Sequence, residues 1–132
     1  MPSRERVGAL VAMVEQGKYV EAIEAFYAED ATMQENNAAP RGGREALVAG
    51  EKKVLAAHKA ARTEPGSWFI VDGDRVVIHW VFVFTRPDGT SYRMEELAEQ
   101  RWRGDRIVEE RFYYDPAQLG RNAAPAKPTS PA

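Results

Sequence analysis

Helical periodicity occupies the first half of the chain. Apolar residues recur every three or four positions between Ser3, which suits an N-cap, and Gly17, which suits a helix stop. The same spacing continues over residues 18 to about 28 and returns over residues 44–58. The pattern therefore predicts three helices, with the turn-rich loop NNAAPRGG ahead of the third.

The pattern changes to a period of two after Ser67, which is typical of β-strands. The turn signals VDGD, RPDGT and RGD divide this part into four strands, at approximately 67–71, 75–85, 90–103 and 106–115. Short connections make these strands antiparallel neighbours in a meander. Three helices followed by an antiparallel sheet predict an α+β fold in which the helices pack on one face of the sheet.

A short alternating segment, YAEDATMQENN, lies between the second helix and the loop. On a strand Met33 and Glu35 would share one face, because side chains repeat every two residues. If Met33 points into the core, Glu35 points there too. A carboxylate in that position is paired, protonated or used in chemistry.

Two of the later strands also carry acids on the face predicted to meet the helices. In the strand 90–103 the alternate set is nearly all charged, so Tyr92, Met94 and Glu96 belong to the inward face. In the last strand the set containing Glu110 is preferred as inward because it has no Arg. Together with Glu35, these side chains predict a largely apolar cavity for a small hydrophobic molecule.

The candidate site residues follow from which alternate positions of each strand face the helices. Glu35 and Glu110 are the candidate catalytic acids. The predicted pocket wall consists of Met33, Trp80, Phe82, Met94, Glu96, Gln100, Trp102, Phe112 and Tyr114. In the alternative reading, the acids form ion pairs with Arg residues at the rim or face solvent. Glu51, on the apolar stripe of the third helix, is a secondary candidate that is expected to lie at the edge of that stripe.

The strand 75–85 is apolar on both faces. The face with Trp80 meets the core, so the face with His79, Val81 and Val83 is free to meet a partner subunit. We therefore expect a homodimer that forms through the outer face of the sheet.

Length and composition narrow the class of protein. A chain of 132 residues suits one domain, here residues 1–118, and the Pro- and Ala-rich segment 119–132 is expected to be flexible. Cysteine is absent, and His58 and His79 have no ligand partner nearby in sequence, so we expect no metal and no cofactor. The net charge of -2 without a basic face argues against nucleic-acid and membrane partners. Without a signal peptide or apolar span, we expect a cytoplasmic protein.

The chain resembles the nuclear transport factor 2-like superfamily, and within it the SnoaL-like group that includes polyketide cyclases and ketosteroid isomerases. The resemblance rests on YAEDATMQEN, then GGREAL, then the meander DGTSYRMEELAEQRWRGDRIVEERFYYDP. It implies a cone-shaped fold, in which three N-terminal helices pack on a strongly curved antiparallel sheet and leave an open pocket at the wide end. Members of the superfamily are commonly dimers.

The resemblance also bears on activity. Glu35 matches the position of the base in ketosteroid isomerases, but the positions of their oxyanion-binding groups hold Val11 and Ala98 here, which argues against steroid isomerisation. Limonene epoxide hydrolases need an Arg between two acids, and no inward Arg is evident. Cyclases need one acid that moves a proton at an activated carbon, and Glu35 meets that need. Two functions remain open, namely proton transfer or water activation on a small hydrophobic substrate, and non-catalytic ligand binding by a dimer.

Overall fold

The computed structural model describes residues 1–120. Within them lie three α-helices, α1 (Arg4–Glu15), α2 (Tyr19–Phe26) and α3 (Arg44–Ala56). Ser3 caps α1 as the sequence predicts, because its hydroxyl accepts a hydrogen bond from the backbone N–H of Arg6 at 3.0 Å. None of the helices in this part of the chain has the length and apolar character needed to cross a membrane.

The same residues contain one sheet of seven strands. The strands are β1 (Tyr27–Glu35), β2 (Arg41–Gly42), β3 (Ala60–Thr63), β4 (Trp68–Asp72), β5 (Arg75–Thr85), β6 (Ser91–Arg103) and β7 (Arg106–Tyr113). Their order is β2-β1-β7-β6-β5-β3, and β4 pairs with β5 as well. The antiparallel meander from β4 to β7 confirms the prediction made from the three turn signals.

β1 does not pair as a strand of a wholly antiparallel sheet would. β1 runs parallel to β7, and its other neighbour is the two-residue strand β2. The sheet is therefore mixed, and the α+β architecture of helices on a curved sheet is otherwise as predicted. Periodicity reports only local structure, so it does not reveal that β1 pairs with the last strand of the chain.

A β-bulge interrupts the alternation of β7. Arg101 pairs with Glu109 but Trp102 pairs with Ile107, which leaves Val108 as an extra residue on β7. As a result Ile107 and Val108 are both buried, although the sequence pattern placed them on opposite faces. Glu110, after the bulge, lies on the inward face as the sequence predicts, and it is buried.

The core lies between the helices and the inner face of the sheet. Its buried members include Val7, Leu10, Ile23, Phe26, Leu47, Ile78, Trp102 and Ile107. After β7 the chain forms a 3₁₀ helix, Pro116–Leu119, in which Gln118 hydrogen-bonds to the backbone of Glu95. Of the segment predicted to be flexible, only Leu119 and Gly120 fall within the described residues, and the remainder lies outside them.

Candidate functional site

A cavity of about 230 Å³ lies between the helices and the inner face of the sheet. The predicted acids Glu35 and Glu110 both line it. So do seven of the predicted wall residues, namely Met33, Trp80, Phe82, Met94, Glu96, Gln100 and Phe112. The strand phase read from the sequence therefore brings most of the candidate residues to one space.

Two residues predicted for the pocket wall, Trp102 and Tyr114, are not among the residues that line the cavity. Trp102 is 1% exposed and lies in the core, where its indole N–H donates to Oε1 of Gln100 at 2.9 Å. Tyr114 is not a wall residue, but its hydroxyl donates to Oε1 of Glu35 at 2.7 Å. Alternation along a strand indicates which face a side chain occupies, but it does not indicate how deeply the side chain is buried.

Glu110 is held by two hydrogen bonds at the centre of the sheet. The register places it between Met33 on β1 and Gln100 on β6. The Tyr27 hydroxyl donates to one carboxylate oxygen, and Nε2 of Gln100 donates to the other at 2.7 Å. Burial raises the pKa of Glu110 to about 7, although these two hydrogen bonds oppose the shift. Glu110 therefore changes protonation near neutral pH.

Glu35 lies at the more exposed side of the cavity. Its side chain is 34% exposed and forms an ion pair with Arg41, whose Nη2 is 3.2 Å from Oε2 of Glu35. Arg41 reaches this position because β2 pairs with β1 and places Arg41 opposite Met33. Arg41 lines the cavity at its rim, where its side chain is 52% exposed, so this ion pair is of the kind that the alternative reading of the sequence describes. A two-residue strand is too short to leave a periodic signal.

Glu96 contributes a third carboxyl group. Only 9% of the residue is exposed, and its side chain makes no hydrogen bond or ion pair to any other residue in the range 1–120. Burial raises the pKa of Glu96 to about 8, and the nearby charges of Glu35, Glu110 and Glu51 raise it further. Glu96 is therefore mostly protonated at neutral pH.

Glu51 brings a fourth carboxyl group from α3. The sequence placed it at the edge of its apolar stripe, whereas in the structure it lines the cavity. Burial raises the pKa of Glu51, the charge of Glu35 adds to the shift and Arg41 opposes it.

Several wall residues were not among the sequence candidates. These are Leu10, Val14, Tyr19, Ala22, Ile23, Tyr27, Arg41 and Val54. Several of them lie on helical apolar stripes, which the sequence did reveal as core-facing. An apolar stripe indicates that a residue faces the core, but it does not indicate whether that residue packs against other side chains or borders a cavity.

The two histidines lie apart from each other. The Nδ1 of His58 is 2.8 Å from the carbonyl of Val54, and its Nε2 is 2.7 Å from the hydroxyl of Tyr92. On the outer face, His79 stacks on Trp68 with ring centroids 5.1 Å apart and bonds to Glu95. Across residues 1–120, the structure has no group of three His, Asp or Glu side chains arranged to hold a metal ion.

The fold and the cavity place the protein in the nuclear transport factor 2-like class of small-molecule-binding domains. Residues 7–110 match the sequence model of the SnoaL-like domain. The chain therefore belongs to the SnoaL-like domain family, which confirms the resemblance seen in the sequence. A search of curated proteins found no significant match.

Solved structures agree with this assignment. A candidate SnoaL-like polyketide cyclase from Mesorhizobium loti is 25% identical, with a TM-score of 0.72 over 86% of this chain and 100% of that chain. A candidate polyketide cyclase from Pseudomonas putida is 19% identical, with a TM-score of 0.76 over 94% and 99%. A protein of ketosteroid isomerase-like fold from Catenulispora acidiphila, in complex with trimethylamine, is 20% identical, with a TM-score of 0.74 over 98% and 99%. The last two similarities establish the fold alone.

Proposed function

We propose that the protein binds a small, largely apolar molecule in this cavity and catalyses proton transfer or water activation on it, in the manner of an isomerase, cyclase or hydrolase. The observation that carries the proposal is the presence of Glu35 and Glu110 on one otherwise mostly apolar wall. An apolar site with few convergent polar groups is the usual form of a small-molecule site. Burial gives Glu110 the raised pKa that acid–base catalysis uses.

The contacts of the two acids suggest different roles. Glu35 is oriented by the Tyr114 hydroxyl and by Arg41, so its carboxylate is positioned to accept a proton from a ligand. Glu110 has a pKa of about 7, which suits a group that exchanges a proton near neutral pH. In this scheme Glu35 is the proton acceptor and Glu110 is its acidic partner.

The alternative is a non-catalytic ligand-binding domain, in which the acids only orient the ligand. Two structures of the same fold were determined with small molecules, since TerC was co-crystallised with polyporic acid and the Catenulispora acidiphila protein is in complex with trimethylamine. These complexes support small-molecule binding by the fold, and they are compatible with either function.

A generic carbon acid can test the role of Glu35. We expect the protein to accelerate the ring opening of 5-nitrobenzisoxazole, which needs only the removal of one carbon-bound proton. Glu35→Gln keeps the size of the side chain and removes the base, so it should lower kcat about 100-fold or more. The measurement is the appearance of the coloured phenolate at neutral pH.

Glu109→Gln is the matched control, because Glu109 is an exposed acid on the other face of β7 that pairs with Arg101. It should leave the rate unchanged. If Glu35→Gln changes only the affinity for the probe, or if the wild-type rate does not exceed that of free acetate, the proton-transfer function is wrong. The binding function would then remain.

We also propose that the protein is a homodimer that forms through the outer face of the sheet. Trp68, His79, Leu97 and Tyr113 are directly opposite one another in register, so they form one row across β4, β5, β6 and β7. Trp68, Leu97 and Tyr113 are exposed, which is unusual for large apolar side chains in adjacent positions. Of the residues predicted for this face, Val81 is already buried within the single chain.

Leu97 lies inside this row and is 39% exposed, so it is a suitable position for a test. Leu97→Arg should convert a dimer into a monomer, since it places a charge in the middle of the proposed contact. Light scattering coupled to size-exclusion chromatography at micromolar concentration measures the mass. Ala46→Arg, on the exposed side of α3, is the control and should not change the mass. A wild-type protein that is already a monomer would refute the proposal.

A further inference from the structure

We infer that the ligand of this cavity is a small organic cation, either a protonated amine or a quaternary ammonium, seated against Glu96. The inference rests on the proposed binding function of the cavity and adds the charge of the ligand.

The charged groups on the wall are unbalanced. Four carboxyl groups border the cavity in the described part of the chain, those of Glu35, Glu51, Glu96 and Glu110, against the single guanidinium of Arg41. Arg41 is already paired with Glu35. An excess of acids in a buried space is unfavourable in the free protein, and a positive ligand would relieve it.

Glu96 is the member of this group that the protein leaves without a partner. It is about nine-tenths buried, and no residue from 1 to 120 hydrogen-bonds to its side chain. The donors on the wall are used elsewhere, because the Tyr27 hydroxyl and the Gln100 amide both donate to Glu110. The carboxyl group of Glu96 borders the cavity and is not sealed in the protein, since among residues 1–120 only Ser67 Oγ is a fully buried side-chain N or O atom without a partner, so a ligand in the cavity can supply the missing partner.

Aromatic rings line the same cavity as Glu96. Trp80 is directly opposite Glu96 in the pairing of β5 with β6. The rings continue along the wall, with centroids 5.7 Å apart for Trp80 and Phe82 and 6.2 Å apart for Phe82 and Phe84. Faces of Trp and Phe rings attract organic cations, and apolar walls suit their alkyl groups.

The same surroundings disfavour other kinds of ligand. A hydrated metal ion needs several oxygen ligands at fixed distances, whereas most of this wall is apolar. An anion would meet up to four carboxylates with one cation among them. A neutral ligand could fill the space, but it would leave Glu96 protonated and without an ionic partner. Binding of a cation should therefore release protons, because the positive charge favours the ionised form of Glu96.

Two probes of the same shape test the charge directly. Choline and 3,3-dimethylbutan-1-ol differ by the replacement of the ammonium nitrogen with carbon. We expect choline to bind at least about tenfold more tightly at pH 7, as measured by titration calorimetry. Repeating the titration in buffers of different ionisation enthalpy should reveal proton release for choline and none for the alcohol.

Glu96→Gln should lower the affinity for choline about tenfold more than it changes the affinity for the alcohol. The control Glu109→Gln should change neither. If the alcohol binds as tightly as choline, the inference is wrong and the proposed binding function stands. If neither probe binds, both the inference and the proposed function of the cavity are overturned. If Glu96→Gln binds choline as tightly as wild type does, the assignment to Glu96 is also refuted.

Discussion

Raising the pH from about 5 to about 9 should lower the free energy of unfolding by several kcal/mol. Glu96 and Glu110 have pKa values of about 8 and about 7 in the folded chain, against an ordinary value of 4.5. The folded state therefore holds these protons more tightly than the unfolded state. The stabilisation is complete below pH 4.5 and is lost as the pH rises through 7 and 8, at up to about 1.4 kcal/mol per pH unit for each group.

Urea denaturation at pH 5, 7 and 9 measures this dependence, and Glu96→Gln isolates one of the two acids. The variant should have a flatter profile and should be more stable than wild type at pH 9 by several kcal/mol, because Gln cannot ionise. Glu109→Gln should follow the wild-type profile, since Glu109 is exposed. Parallel profiles for wild type and Glu96→Gln would mean that Glu96 ionises as readily in the folded chain as in the unfolded chain.

Replacing Trp102 by Ala should lower the free energy of unfolding by about 3–5 kcal/mol. The side chain is 1% exposed, it packs beside the bulge of β7, and its indole N–H bonds to Gln100. Its removal would leave a large internal space and an unpartnered amide oxygen. Chemical denaturation at pH 6 gives the difference between variant and parent.

Trp68→Ala is the matched control, because Trp68 is 48% exposed on the outer face. Both Trp variants should be made in the Leu97→Arg background, so that subunit association does not contribute to the result. There Trp68→Ala should cost less than about 1 kcal/mol. Equal losses for the two variants would contradict the placement of Trp102 in the core. A further variant, Trp102→Phe, keeps most of the apolar volume and should cost about 1–2 kcal/mol through the lost hydrogen bond.

The sequence alone determined the elements that depend on local patterns. Three helices follow from apolar residues at helical spacing, and the meander from β4 to β7 follows from a period of two broken by turn residues. The same alternation placed Glu35 beside Met33 and Glu110 on an inward face, and both acids line the cavity. These features could be predicted because each is decided within a few neighbouring residues.

Only the tertiary structure decided how the site is assembled. The parallel pairing of β1 with β7 and the short β2 that brings Arg41 to Glu35 join segments far apart in the chain or too short to show a period. The bulge at Val108 and the depth of Trp102 depend on packing against other elements. The unpartnered state of Glu96 is likewise a property of the whole fold. It depends on which acceptors the other hydrogen-bond donors are bonded to, and a local sequence pattern does not indicate that.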